Sequence, residues 1–240
     1  LLIPDIVMIL VLFHPMDTGA TALADALRQT TACPVLAITI DEVVYPPRIV
    51  QRLGSHTTGT EMLLHNGTRI DGTEVTGVIN RVAGLPDKHL AHVSAGDRAY
   101  AMEELYAFIL GWLAAFPCAI VNAPHARGLS GYFADPLTLD IWSRMAGFAG
   151  VLPENWDGDI KAASAAVAFD GRLYGPVTSE RTRMAALRLQ GLTGLSLCQI
   201  DMAEGADGTP WLVDFNPFPD SAIGGRPLLR DLATVLGGAS

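Results

Sequence analysis

The first apolar run, residues 6–13, carries no charge and is too short to span a bilayer, so it predicts a buried parallel strand. It breaks at His14-Pro15-Met16-Asp17-Thr18-Gly19. Ala22, Leu23, Ala26 and Leu27 then share one side of a helix over 21–29, with Asp17 or Thr18 as its cap rather than as a ligand. A second strand over 34–40 makes the opening β-α-β, the start of an open parallel layer. Residues 45–75 are looser, but Asn66-Gly67 between two short extended runs signals a hairpin. A strand over 75–81 ends in Asn80-Arg81, either a ligand position at a strand's carboxyl end or, for Arg81, a salt-bridge partner. Tyr100, Leu105, Phe108, Ile109, Trp112 and Leu113 space a helix over 99–116 that Pro117 ends, and a strand over 118–122 follows.

The second half has a different rhythm. Leu137, Ile141, Trp142 and Met145 place a helix over 137–148. A strand over 159–169 turns at Asp170-Gly171, and a helix over 181–192 follows. The chain then forms two strands, 196–202 and 210–216, joined by Gly205-Ala206-Asp207-Gly208. Cys198, Ile200 and Met202 are the apolar positions of the first strand, and Asp201 lies among them. Strict alternation in the second puts Trp211, Val213 and Phe215 on one face and Leu212, Asp214 and Asn216 on the other. Paired around this turn, Asp201, Asp214 and Asn216 offer converging oxygen donors, the set a hard cation such as Mg²⁺ prefers. The same pattern also describes a surface hairpin whose acids face water.

Composition narrows the function. The 240 residues are 50% hydrophobic and 17% charged, which excludes a disordered chain and fits one to two domains. The net charge of −9, without a basic cluster, argues against nucleic acid and membranes as partners. Cys33, Cys118 and Cys198 are widely spaced in apolar settings, which favours buried thiols and a cytoplasmic location. His89 and His92 are the one close histidine pair, and the flanking Pro86 and Gly96 favour a loop there over a metal site. Leu1 is not an initiator methionine, so the expectation is that residues before it were removed or are missing. A mean hydropathy of +0.30 with few lysines fits a chain that covers apolar surface as a homo-oligomer or against a protein partner.

Asp201, then Asp214-Phe215-Asn216-Pro217, with Gly191-Leu192-Thr193-Gly194-Leu195 before them, resembles the closing signature of the ATP-grasp superfamily, although that family usually carries Glu where this chain has Asp214. The order of the earlier pieces (residues 7–17, 78–81, Glu103-Glu104 in the long helix, and 121–124) resembles the subgroup that modifies peptides. The resemblance implies an N-terminal α/β domain over 1–124 and a reduced ATP-grasp-like α+β domain over 125–240. It implies Mg²⁺ on Asp201, Asp214 and Asn216 and, through it, ATP. It further implies a peptide or small carboxylate substrate that is phosphorylated and then attacked by an amine. Asp159-Ile160-Lys161 sits where many relatives have Asp-x-Arg, so Lys161 is a phosphate and catalytic candidate, although without the arginine fork. Arg181, Arg183 and Asn216 are further nucleotide candidates, and Arg226, after Gly224-Gly225, is a second catalytic one.

The resemblance breaks off in the middle of the chain. Relatives carry a lysine in the helix matching 137–148, then a subdomain that clamps the nucleotide with lysines, a Gly-rich loop and an adenine-binding hinge. Here the helix has Asp140, Ser143 and Arg144 and no lysine, and the chain runs from Val151-Leu152-Pro153 through Asn155-Trp156-Asp157-Gly158 almost directly to the next strand. Lys88 and Lys161 are the only lysines. Three readings follow: a pared-down active ligase, a non-catalytic binding partner of a complete ligase, or an unrelated α/β protein with a polar hairpin.

Overall fold

The computed structural model describes residues 7–54, 58–153, 156 and 158–237. The sequence readings on residues 1–6 and on His56, Asn155 and Asp157 lie outside them. The chain forms two compact units, one running to Gly131 and including the chain from Leu232, the other from Tyr132 to Asp231.

The first unit is built on a parallel sheet of β1 (Met8–Phe13), β2 (Val35–Thr39), β6 (Val75–Arg81) and β7 (Ala119–Val121), in the order β2-β1-β6-β7. Its central strands β1 and β6 are buried almost throughout, as the charge-free run predicts. Asp17 caps α1 (Thr18–Thr30), accepting from the Ala20 N–H at 3.0 Å. The other oxygen of Asp17 and the same carboxylate edge meet Arg81, with Nε–Oδ2 at 2.7 Å and Nη2–Oδ1 at 3.0 Å. Arg81 is only 4% exposed, so this two-point pair fixes the end of β6 to the start of α1. Asn80 is held similarly, donating to the carbonyls of Leu129 at 2.6 Å and Asn122 at 3.2 Å.

Two elements here differ from the sequence reading. Residues 48–53 form β3 (Arg48–Leu53), the edge of an antiparallel sheet with β4 (Thr58–Leu63) and β5 (Arg69–Asp71). Exposed Arg48 and Arg52 break the apolar pattern that would have marked it. Asp41-Glu42 begin a single helical turn, α2 (Ile40–Val44), because the Glu42 carboxylate caps it by accepting from Thr39. The long α3 (Arg98–Ala114) buries Leu105, Ile109, Trp112 and Leu113 in the core shared with β1 and β6. His89 lies in a 3-10 turn, Asp87–Leu90, with Nε2 3.0 Å from Asp41 Oδ1.

The second unit is an antiparallel sheet of β8 (Ile160–Phe169), β9 (Arg172–Tyr174), β10 (Leu197–Gly205) and β11 (Pro210–Asn216), in the order β11-β10-β8-β9. Two helices, α4 (Pro136–Ala146) and α5 (Glu180–Thr193), complete it. Each starts at a side-chain cap, Asp135 and Ser179, and each ends at a left-handed glycine, Gly147 and Gly194. Ala146, Ala185, Ala186 and Leu189 pack with Ala166, Ala168, Cys198, Ile200, Met202 and Leu212, so the helices and one sheet face share a core. After α4 the chain runs along the outer edge of β11. The Leu152 N–H donates to the Leu212 carbonyl at 2.7 Å, and the Leu212 N–H donates to Gly150 at 3.0 Å. Asp140 accepts from the Val151 N–H at 2.9 Å, and Arg144 donates to the Ala149 carbonyl at 2.6 Å. The helix positions without a lysine thus hold the segment that covers an open strand edge. Only residues 152–159 then separate this edge from β8, too few for a subdomain. The last helix, α6 (Ser221–Gly237), is kinked at Gly225, where φ is 57° and Pro227 follows.

Candidate functional site: the β10–β11 hairpin face

The hairpin turns at residues 206–209. Gly208 supplies a φ of 77°, and Asp207 accepts from both the N–H and the hydroxyl of Thr209. Along the strands Asp201 is directly opposite Asp214, and Gln199 is directly opposite Asn216. Between Asp201 and Met202 the register slips, because Met202 pairs with Leu212 and leaves Val213 as an extra residue. This bulge corrects the alternation read from the sequence. Leu212 points into the core and is fully buried, whereas Asp214 lies on the face of Asp201 and is exposed. An added residue is the standard way to re-aim a side chain without breaking a strand pair.

The result is a face in rows: Ala163, Ala203 and Trp211; then Ala165, Asp201 and Asp214; then Val167, Gln199 and Asn216. The three β8 residues are small or apolar, so the acids are the functional groups of the middle row. Opposed β-carbons of an antiparallel pair stand about 5 Å apart, and like charges so placed destabilise a bare hairpin. Further bonds orient the donors. The Gln199 amide donates to Asp201 Oδ1 at 2.8 Å, and its carbonyl oxygen accepts from the Asp220 N–H at 3.0 Å. Asp214 Oδ1 accepts from the Phe215 N–H, and Asn216 Oδ1 from the Phe218 N–H, both at 2.8 Å. Each of these oxygens has capacity for a further bond beyond the one it accepts. Two carboxylates and an amide oxygen, one edge open, fit Mg²⁺, which takes one or two protein carboxylates and completes its shell with water or phosphate. Among the described residues no group of three His, Cys, Asp or Glu side chains is poised to hold a metal, so any cation here would rely on the amide and on a ligand.

The other sequence-selected residues are distributed differently. Lys161 is exposed and falls at a second bulge, between Ala162 opposite Glu204 and Ile160 opposite Gly205. It is four positions along β8 from Ala165, roughly 13 Å from the acidic row. Arg181 and Arg183 lie in the first turn of α5, whose Ala185, Ala186 and Leu189 pack on the sheet face opposite Asp201 and Asp214, while the Arg181 charge comes near Asp207 at the hairpin turn. Arg226 follows the Gly225 kink of α6 and is exposed. The start of α6 is beside the site: Asp220 bonds Gln199, and both Ile223 and the Ala165 carbonyl close on Gly175. Gln199 is the residue that sequence reading missed. Its signal was the period of two, which puts it on the face of Asp201.

No protein-family model matches the sequence, and no curated protein matches it. Solved structures do. The macrocyclase MdnC of Microcystis aeruginosa MRC, bound with precursor peptide MdnA, superposes with a TM-score of 0.66 at 13% identity, over 97% of this chain and 100% of that one. MdnB of the same organism gives 0.65 at 12% identity, again over 97% and 100%. A RiPP-associated ATP-grasp ligase of Chryseobacterium gregarium, in complex with ADP and a leader and core peptide, gives 0.68 at 10% identity over 96% of each chain. The fold is that of the ATP-grasp ligases. Within that ATP-grasp fold, β10 and β11 carry the acidic pair and Asn216, while the chain has only residues 152–159 before β8 begins at Ile160. No helix among the described residues is long and apolar enough to cross a membrane.

Proposed function

We propose that this chain binds a magnesium nucleotide on the hairpin face and acts as an ATP-dependent carboxylate–amine ligase on a peptide or small carboxylate. The observation that carries the reading is the register that sets Asp201 opposite Asp214 with Asn216 in the next row. Asp201, Asp214 and Asn216 would hold Mg²⁺, which when bound neutralises phosphate charge and orients it for transfer. Gln199 positions Asp201 and ties it to the start of α6. Lys161 and Arg226 are the cations this reading assigns to phosphate oxygens. The fold shared with enzymes solved with ADP and with precursor peptides supports both the nucleotide and a peptide substrate.

A second reading has its own observations. Residues 152–159 leave no room for a clamp subdomain, and Leu137, Ile141 and Met145 make an exposed apolar stripe along α4, at 71, 48 and 65% exposure. Both features suit a non-catalytic partner of a complete ligase. Calorimetry of ATP with and without Mg²⁺, on the native chain and on Asp201→Asn, separates the two. Micromolar, Mg²⁺-dependent binding that the variant loses is the ligase result. Absence of binding to the native chain refutes it and leaves the scaffold role.

A further inference from the structure

Next to the acidic row, on the same sheet face, lies a groove of about 300 Å³ that the reaction above does not use. Trp211 of β11 forms one wall, opposite Ala203 and one row, roughly 7 Å, from Asp201 and Asp214. Trp156 packs directly against it, its ring centroid 4.7 Å from that of Trp211 and its plane tilted by 51°, so the two indoles make one aromatic wall. The indole of Trp156 lies over Gly158, where a β-carbon would come within 2.6 Å of the ring, so glycine at that position is what lets the wall stand. Asp159 and Asp207 line the groove with Thr209, and none of its lining among the described residues is lysine or arginine. Both carboxylates are exposed, and the Asp159 side chain has no hydrogen bond among the described residues. Hydrogen bonds from Thr209 hold the Asp207 carboxyl below the usual range and leave it ionised at neutral pH, with a small contribution from the Arg181 charge nearby.

Two tilted indoles beside two carboxylates select a planar cation. A guanidinium stacks on an indole face and presents a charged fork of N–H donors to a carboxylate, whereas adenine stacks but offers a carboxylate only the N–H of a neutral amine. We infer that this groove binds the guanidinium of an arginine side chain, seated one row from the metal face. That the arginine belongs to a peptide substrate rests on the ligase reading; the choice of guanidinium does not.

The test needs neither nucleotide nor metal. The chain has four tryptophans, so ¹⁵N-labelled protein gives four indole cross-peaks, and Trp156→Phe and Trp211→Phe assign the two of interest. The probes are the tripeptide Ac-Gly-Arg-Gly-NH₂, the same peptide with uncharged citrulline for arginine, and adenosine. The arginine peptide is expected to move the Trp156 and Trp211 cross-peaks saturably and to leave those of Trp112 and Trp142 in place. Citrulline should bind about fivefold more weakly, and Asp159→Asn should weaken the arginine peptide about threefold. No movement of those two peaks, an equal response to citrulline, or stronger binding of adenosine overturns the inference. Because calorimetry with ATP reads a different set of residues, the ligase reading and this one can fail separately.

Discussion

Replacing Asp214 with Asn should change the sign of its effect when nucleotide is added. In the free chain Asp201 and Asp214 face each other across the hairpin, Asp201 held by the Gln199 amide and Asp214 by the Phe215 N–H. Two unit charges at about 5 Å repel by roughly 0.8 kcal/mol in water and about 3 kcal/mol at an effective dielectric of 20. Asp214 is exposed, so the lower figure governs. Asn keeps the Oδ1 that accepts from Phe215, so little else is lost. The free variant should therefore melt about 2 °C above the native chain, at about 2–4 °C per kcal/mol for a chain of this size. With MgATP at a hundred times its Kd the native chain gains about 2.7 kcal/mol, or about 5–10 °C. A variant whose affinity falls a hundredfold gains about 0.4 kcal/mol and now melts lower. Scanning fluorimetry of both chains, free and with MgATP, reads all four melting points. A variant that is less stable than the native chain in the free state, or one stabilised by MgATP as much as the native chain, refutes the reasoning.

Three further expectations concern the scaffold. Asp17→Asn removes the carboxylate charge that faces the buried Arg81 and should cost about 3 kcal/mol in urea unfolding, while the double variant with Arg81→Met should recover part of that; a single-variant loss below about 0.5 kcal/mol contradicts the pair's role. Gly77→Ala puts a β-carbon 2.5 Å from the Cα and carbonyl oxygen of Leu236, so about 1–3 kcal/mol should be lost, and an unchanged urea midpoint would mean that the helix yields freely. Burial, and then the bond to Asp231, push the Tyr174 hydroxyl up to about 12. The unfolded chain ionises near pH 10 while the folded one does not, so stability is intact below pH 10 and falls from there to about pH 12; urea midpoints across that window should flatten in Tyr174→Phe, and an equal fall in the variant rejects the assignment.

Much of this fold was legible because long apolar runs and apolar spacing act locally. The buried β1 announced itself by lacking charge and α4 by the spacing of Leu137, Ile141, Trp142 and Met145, whereas the caps Asp135 and Ser179 are seen in the structure. The acidic pair was legible as well, since Asp201 and Asp214 flank one turn. What stayed hidden depends on register, which no single strand encodes. The bulge at Val213 is fixed by Leu212 seeking the core beside Met202, and this long-range packing moves Asp214 to the other face. Which sheet face a helix covers is equally non-local. Arg181 and Arg183 were reasonable phosphate candidates by charge, yet Ala185, Ala186 and Leu189 commit their helix to the far side. The edge strand β3 was missed because arginines interrupt its pattern, as solvent-facing edges tolerate.

The central claim is that Asp201, Asp214 and Asn216 hold a divalent cation against a nucleotide. Its most direct test is a crystal grown with Mn²⁺ and ADP and measured at the manganese absorption edge. The account predicts an anomalous peak about 2.2 Å from carboxylate oxygens of both Asp201 and Asp214, with diphosphate oxygens completing the shell. A map with ADP bound elsewhere, or with manganese away from this pair, contradicts it.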